Sequence, residues 1–174
     1  MTSSTVFVCT GLPGTGKSTL ADRVAQAIGA PCFAGDWLLG ALAPHGVLDG
    51  VERSVSLAVY HGLLESLITR QLMFGQSAVV DCILDDRVAE RWARIAAGFG
   101  ARLVVVECVC GDEDVHRLRL EGRRRDIPGW HEVGWDHIGR MRVEFPPLTR
   151  TDLTVDAVDP QADNVRTVLA SVVT

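Results

Sequence analysis

Gly11-Leu12-Pro13-Gly14-Thr15-Gly16-Lys17-Ser18 fits the spacing G-x-x-x-x-G-K-[ST] at every fixed position. That spacing suits one chemistry, the holding of a chain of phosphates. Glycines let backbone N–H groups turn toward an anion, the start of a following helix adds partial positive charge, and the lysine ammonium reaches the outer phosphates. The Ser18 hydroxyl is placed for Mg2+. Thr19 is counted with the cradle, although its place suits a helix interior better than a second ligand. A lone glycine-rich turn can merely join a strand to a helix, but here the fixed positions and the hydroxyl agree. The expectation is a nucleoside triphosphate site contacted by Gly11, Pro13, Gly14, Thr15, Gly16, Lys17, Ser18 and Thr19, with Lys17 also acting on the transferred phosphate.

Two carboxylates stand where they could complete that chemistry. Asp36, in Ala34-Gly35-Asp36-Trp37, is the candidate general base, since phosphate transfer to an alcohol gains from a carboxylate that accepts the hydroxyl proton. Its structural alternative is to cap a helix from Trp37 to Leu42. Asp81 ends a run of small and apolar residues and is the candidate partner of Ser18 at Mg2+. Asp85 and Asp86 are read as opening a helix from Arg87 to Ala97, where acids favour the dipole end.

Arg117, Arg119, Arg123, Arg124 and Arg125 form the densest basic cluster of the chain. A mobile segment near 117–130 carrying arginines could close over a triphosphate and neutralise charge developing on the transferred oxygens. Arg123 and Arg125 are assigned to that catalytic role and Arg119 to nucleotide binding. A solvated helix face is the other reading, above all for Arg117.

Positioning these groups requires a particular framework. Apolar runs recur near 5–10, 31–34, 77–84, 102–110 and 152–158, separated by segments with helical spacing such as Thr19 to Ile28. Val79-Val80 and Leu103-Val104-Val105-Val106 are continuous rather than alternating, which suits strands covered on both faces. The pattern predicts a parallel sheet with helices on both sides, with ligands gathering beyond the carboxyl ends of the strands. The longest insertion, about 36–75, reads as acceptor-binding helices, with Val51 to Leu72 a long amphipathic one. Trp37-Leu38-Leu39 would give an apolar doorway, and His45 and His61 read more as surface or packed histidines than as ligands.

The chain of 174 residues suits a single domain over 1–174 with a core that needs no staples. A net charge of −5 argues against a surface built for nucleic acid. No stretch reaches the apolar length of a membrane span, and the start lacks a leader pattern, so a cytoplasmic protein is expected. The five cysteines complete no zinc pattern and read as apolar packing in a reducing compartment.

Together the glycine loop, Asp36, the Asp81-to-Arg87 segment and the arginine-rich stretch resemble the small P-loop kinases that include the kinase domain of polynucleotide kinase, zeta toxins and chloramphenicol phosphotransferase. The resemblance spans nearly the whole chain. It implies a three-layer α/β sandwich around a five-stranded parallel sheet in the order 2-3-1-4-5, Asp36 as the base, and lid arginines from Arg117 to Arg125 that clamp phosphates. It also makes the turn from Asp156 to Pro160 a candidate wall of the adenine pocket.

The expected activity is ATP- and Mg2+-dependent transfer of phosphate to a hydroxyl of a small molecule such as an antibiotic, a nucleoside or a sugar, with no nucleic-acid or membrane partner. Two other functions compete with it. The arginine cluster would also suit a kinase of nucleic-acid 5′-hydroxyl ends. A guanine-nucleotide switch would need an Asn-Lys-x-Asp motif, and Lys17 is the only lysine.

Overall fold

Five parallel strands form one sheet in the order β2-β3-β1-β4-β5 in the computed structural model, which describes residues 4–171. They are β1 (Thr5–Thr10), β2 (Cys32–Ala34), β3 (Ala78–Asp81), β4 (Arg102–Val109) and β5 (Leu153–Asp156). The register sets Cys9 beside Asp81 on one side and beside Val106 on the other. The loop of Gly11 after β1, the helix turn of Asp36 after β2 and Asp81 at the end of β3 therefore lie along one edge of the sheet.

Side chains alternate across a strand, so a continuous apolar run must be covered twice. Val6, Val8, Val80 and Val105 face one core with Leu64, Ile68 and Trp92. Phe7, Cys9, Val79, Val104 and Val106 face the other with Leu20, Val24 and Val168. The first core is closed by α2 (Gly35–Leu42), α3 (Arg53–Met73) and α4 (Asp86–Gly98), and the second by α1 (Lys17–Ile28) and α7 (Gln161–Ala170). Trp92 is fully buried, and truncation to alanine would cost about 3–5 kcal/mol.

Helix ends follow local chemistry. Asp85 caps α4 by accepting from the Val88 N–H at 2.9 Å, and α1 stops at Gly29, whose N–H turns back to Ala25 and Gln26. Asp112 likewise caps α5 (Glu113–Glu121) through the Val115 N–H at 3.0 Å. Asp36, in contrast, caps nothing. The helix begins two residues earlier than expected, at Gly35, so the Asp36 carboxylate lies in the first turn and is left for other partners.

One element was not anticipated, α6 (Trp135–Glu144). Ile138 and Met141 are its buried positions, and Phe145 follows them into the interior. This spacing of three and four was readable, but nine polar or glycine positions from 131 to 144 obscured it. All five cysteines are free thiols. Among the described residues no helix is long and apolar enough to cross a membrane.

Candidate active site

Between β1 and α1 the glycine loop turns tightly enough that the Thr15 hydroxyl donates back to the Leu12 carbonyl at 2.8 Å. Gly11 passes so near β4 that a Cβ there would lie 2.3 Å from the Cys108 carbonyl oxygen, which only glycine tolerates. No side chain caps α1. The N–H groups of Lys17, Ser18 and Thr19 open the helix without intrahelical acceptors and carry the positive end of its dipole. Thr19 is exposed and brings to this cradle only its backbone, whereas Lys17 is buried.

His116 of α5 lies behind the loop. Its Nε2 sits 2.8 Å from the Pro13 carbonyl oxygen, and its ring stands edge-on to Trp135 at 5.1 Å. The helix that leads into the arginine-rich stretch is thereby fastened to the phosphate cradle.

Asp81, at the end of β3, is buried, and its Oδ1 has no hydrogen-bond partner. Burial pushes its carboxyl pKa up, while the charge of Lys17 and the Ser18 hydroxyl act against that shift. An acceptor oxygen orphaned beside an ammonium and a hydroxyl matches the donor set that a hard divalent cation takes together with phosphate oxygens and water. No group of three His, Cys, Asp or Glu side chains placed to hold a metal ion occurs among the described residues, so such a cation would depend on those outside ligands.

A cleft of about 130 Å³ collects Gly11, Pro13, Lys17, Asp36 and Arg125 at one edge of the sheet. Arg125 pairs through Nη1 with Asp36 Oδ2, and the Arg125 backbone N–H donates to Glu132 Oε1 at 2.9 Å. Arg123 is also turned inward, with Nε 3.2 Å from Glu132 Oε2, close enough for charge attraction but not aligned for a hydrogen bond. Burial and the neighbouring charge of Arg125 push its pKa down, and Glu132 and Asp36 oppose them. Arg117, Arg119 and Arg124 face solvent. Arg117 stacks over Trp135 at 5.0 Å, and the Arg119 side chain makes no hydrogen bond or ion pair with the described residues and does not line the cleft.

The segment 123–134 has no regular structure, yet it is held against α2. A Cβ on Gly40 would meet the Pro128 carbonyl oxygen at 2.5 Å and the Ile127 side chain at 2.9 Å. Sequence reasoning missed this docking, together with Glu132, Trp130 and His116. A hydrogen is the smallest side chain, and its use as a contact surface leaves no compositional mark.

The expected apolar doorway is only partly present. Leu39 lines the cleft, but Trp37 is 53% exposed and points away. The first turn of α2 aims Asp36 and Leu39 inward, three residues apart, and so turns Trp37 out. The apolar walls come instead from Leu57, Tyr60, Trp130 and Met141. Tyr60 is held by the Ile83 N–H, which donates to its hydroxyl at 3.1 Å. His61 is buried against the Ile83 carbonyl, and His45 is exposed. The Asp156 carboxylate accepts from the Gly111 and Val158 N–H groups, which fixes the turn after β5.

A family model described as an AAA domain matches residues 6–148, and the chain belongs to that family. A comparison with curated protein sequences finds no match. Solved structures resemble it along its length. A gluconokinase from Sinorhizobium meliloti 1021 is 23% identical with a TM-score of 0.69, over 99% of this chain and 93% of that one. An APS kinase from Mycobacterium tuberculosis in complex with AMPPNP and APS is 19% identical with a TM-score of 0.66, over 99% and 98%. A shikimate kinase from Aquifex aeolicus vf5 is 14% identical with a TM-score of 0.59, over 96% and 95%. The shared fold is that of small kinases built on a glycine phosphate loop.

Proposed function

We propose that this member of the AAA-domain family is a small-molecule kinase that transfers the γ-phosphate of ATP to a hydroxyl, the whole chain acting as one kinase domain. The observation that carries the reading is the convergence of Lys17, Asp36 and Arg125 on one cleft beside the phosphate loop. Among P-loop kinases, the acid after the second strand favours the group of polynucleotide kinase, zeta toxin and chloramphenicol phosphotransferase.

In this reading the loop amides and Lys17 hold the β- and γ-phosphates. The acceptor oxygen attacks the γ-phosphorus in line, the bond to the β,γ-bridging oxygen breaks, the hydroxyl proton passes to Asp36, and ADP leaves. Ser18 and Asp81 would hold Mg2+, which neutralises phosphate charge when bound. Arg123 and Arg125 belong to a lid near 117–130. Arg125 leaves Asp36 for the phosphate oxygens when a triphosphate competes for it, which frees the carboxylate to take the proton. The insertion at 36–75 supplies acceptor contacts.

The sole lysine provides the test. A lysine-directed acylating reagent can modify only Lys17 and the amino terminus, and Mg–ATP is expected to protect Lys17. A mass screen of hydroxylated small molecules for ATP-dependent gain of phosphate then identifies the acceptor. Absence of Mg–ATP binding by calorimetry overturns the reading.

A further inference from the structure

A second and larger cavity, about 320 Å³, adjoins the cleft that holds Asp36, and Gly11 and Ile83 line both. The two cavities therefore meet at these residues. The walls of the larger one are mostly apolar, among them Leu12, Leu84, Phe145, Pro146, Pro147 and Leu148.

The polar side chains on these walls are largely committed. The Thr15 hydroxyl is spent on Leu12, the His116 ring on Pro13, and the Cys110 thiol on the Asp112 carbonyl. Arg142 is an exposed residue that approaches Glu113 at 3.9 Å and Trp135 at 5.8 Å. Thr10, buried beside Glu107 in the sheet, has a hydroxyl with no partner among the described residues, and Glu107 likewise differs from the rest. It is half-buried in the cavity wall on β4, and its carboxylate makes no hydrogen bond or ion pair with the described residues.

A polyol such as a sugar acid needs many directional partners, and the uncommitted side chains here are few, the Thr10 hydroxyl and the Glu107 carboxylate. An apolar body gains by leaving water here. A half-buried carboxylate without a protein partner is best satisfied by a charge-assisted donor. We propose that this cavity binds the apolar, amine-bearing portion of the acceptor, with Glu107 receiving its ammonium group, so that the enzyme acts on an amphipathic amino alcohol rather than a sugar. The substrate assignment rests on the kinase reading above, but the binding site does not.

The test is calorimetric binding without nucleotide, using 2-phenylethylamine, its neutral counterpart 2-phenylethanol, and gluconate. The amine is expected to bind at least tenfold more tightly than the alcohol, with no gluconate binding. Glu107→Gln should abolish the preference while leaving the alcohol's affinity within twofold. Leu148→Trp, which fills the cavity, should weaken both aromatic probes at least tenfold. Equal binding of amine and alcohol, an unchanged ratio in Glu107→Gln, or no binding of either overturns the proposal. Loss of Mg–ATP binding would instead overturn the kinase reading and the substrate assignment that rests on it, and would leave the binding site standing, because these measurements contain no nucleotide.

Discussion

Arg125 reaches across 89 residues of sequence to place its guanidinium on the carboxylate of Asp36, joining the segment after α5 to the first turn of α2. Neither partner is free in water, with side chains 14% and 28% exposed. The pair both masks Asp36 and fixes where the arginine segment rests.

Removing the carboxylate separates its roles. Asp36→Asn keeps nearly the same volume, so Mg–ATP affinity by calorimetry should stay within about threefold, while phosphate transfer falls by roughly 10²–10⁴-fold, the usual contribution of general base catalysis. Full transfer in this variant would remove Asp36 as the base.

The energy of the pair is measurable by a double-mutant cycle of Asp36→Asn and Arg125→Gln. Partial burial places the coupling above that of exposed pairs, at about 1–2 kcal/mol. Urea melts of the four proteins provide the number, and a coupling of zero would mean that the contact holds nothing in place.

Gly40→Ala tests the docking of the arginine segment. The added methyl must displace the backbone at Pro128, at an expected cost of roughly 1–3 kcal/mol. Trypsin should then cut faster at Arg123, Arg124 and Arg125 than in the parent protein, while cleavage at other sites is unchanged.

His61 supplies a pH dependence. It is buried, its Nε2 is 2.9 Å from the Ile83 carbonyl oxygen, and desolvation lowers its pKa below 6.5. Asp85 and Glu65 oppose that shift, and Arg91 reinforces it. The folded protein thus binds fewer protons here than the unfolded chain. The stability from this site is complete above pH 6.5 and is lost as pH falls from there toward the folded-state value. Melting temperatures from pH 8 to 5.5 should fall more steeply for the parent than for His61→Gln, and parallel curves would refute the assignment.

Much of this molecule was legible because its information is local. The phosphate loop is a contiguous motif, and continuous apolar runs at Val79-Val80 and Leu103–Val106 announce strands covered on both faces. The placement of Asp36 and Asp81 at the same edge as Lys17 followed once the strands were taken as parallel, since each parallel strand delivers its last residue to the same side.

The tertiary structure alone decided which arginines turn inward. In the irregular stretch from 123 to 125 exposure alternates, so that Arg123 and Arg125 face Glu132 while Arg124 meets solvent. No spacing rule fixes that choice before the segment is pressed onto Gly40. The same holds for the start of α2, where two residues of difference turned Asp36 from a cap into a cleft residue and moved Trp37 outward. Sequence determines what a local backbone can do, and packing between distant segments selects which of those options each side chain takes.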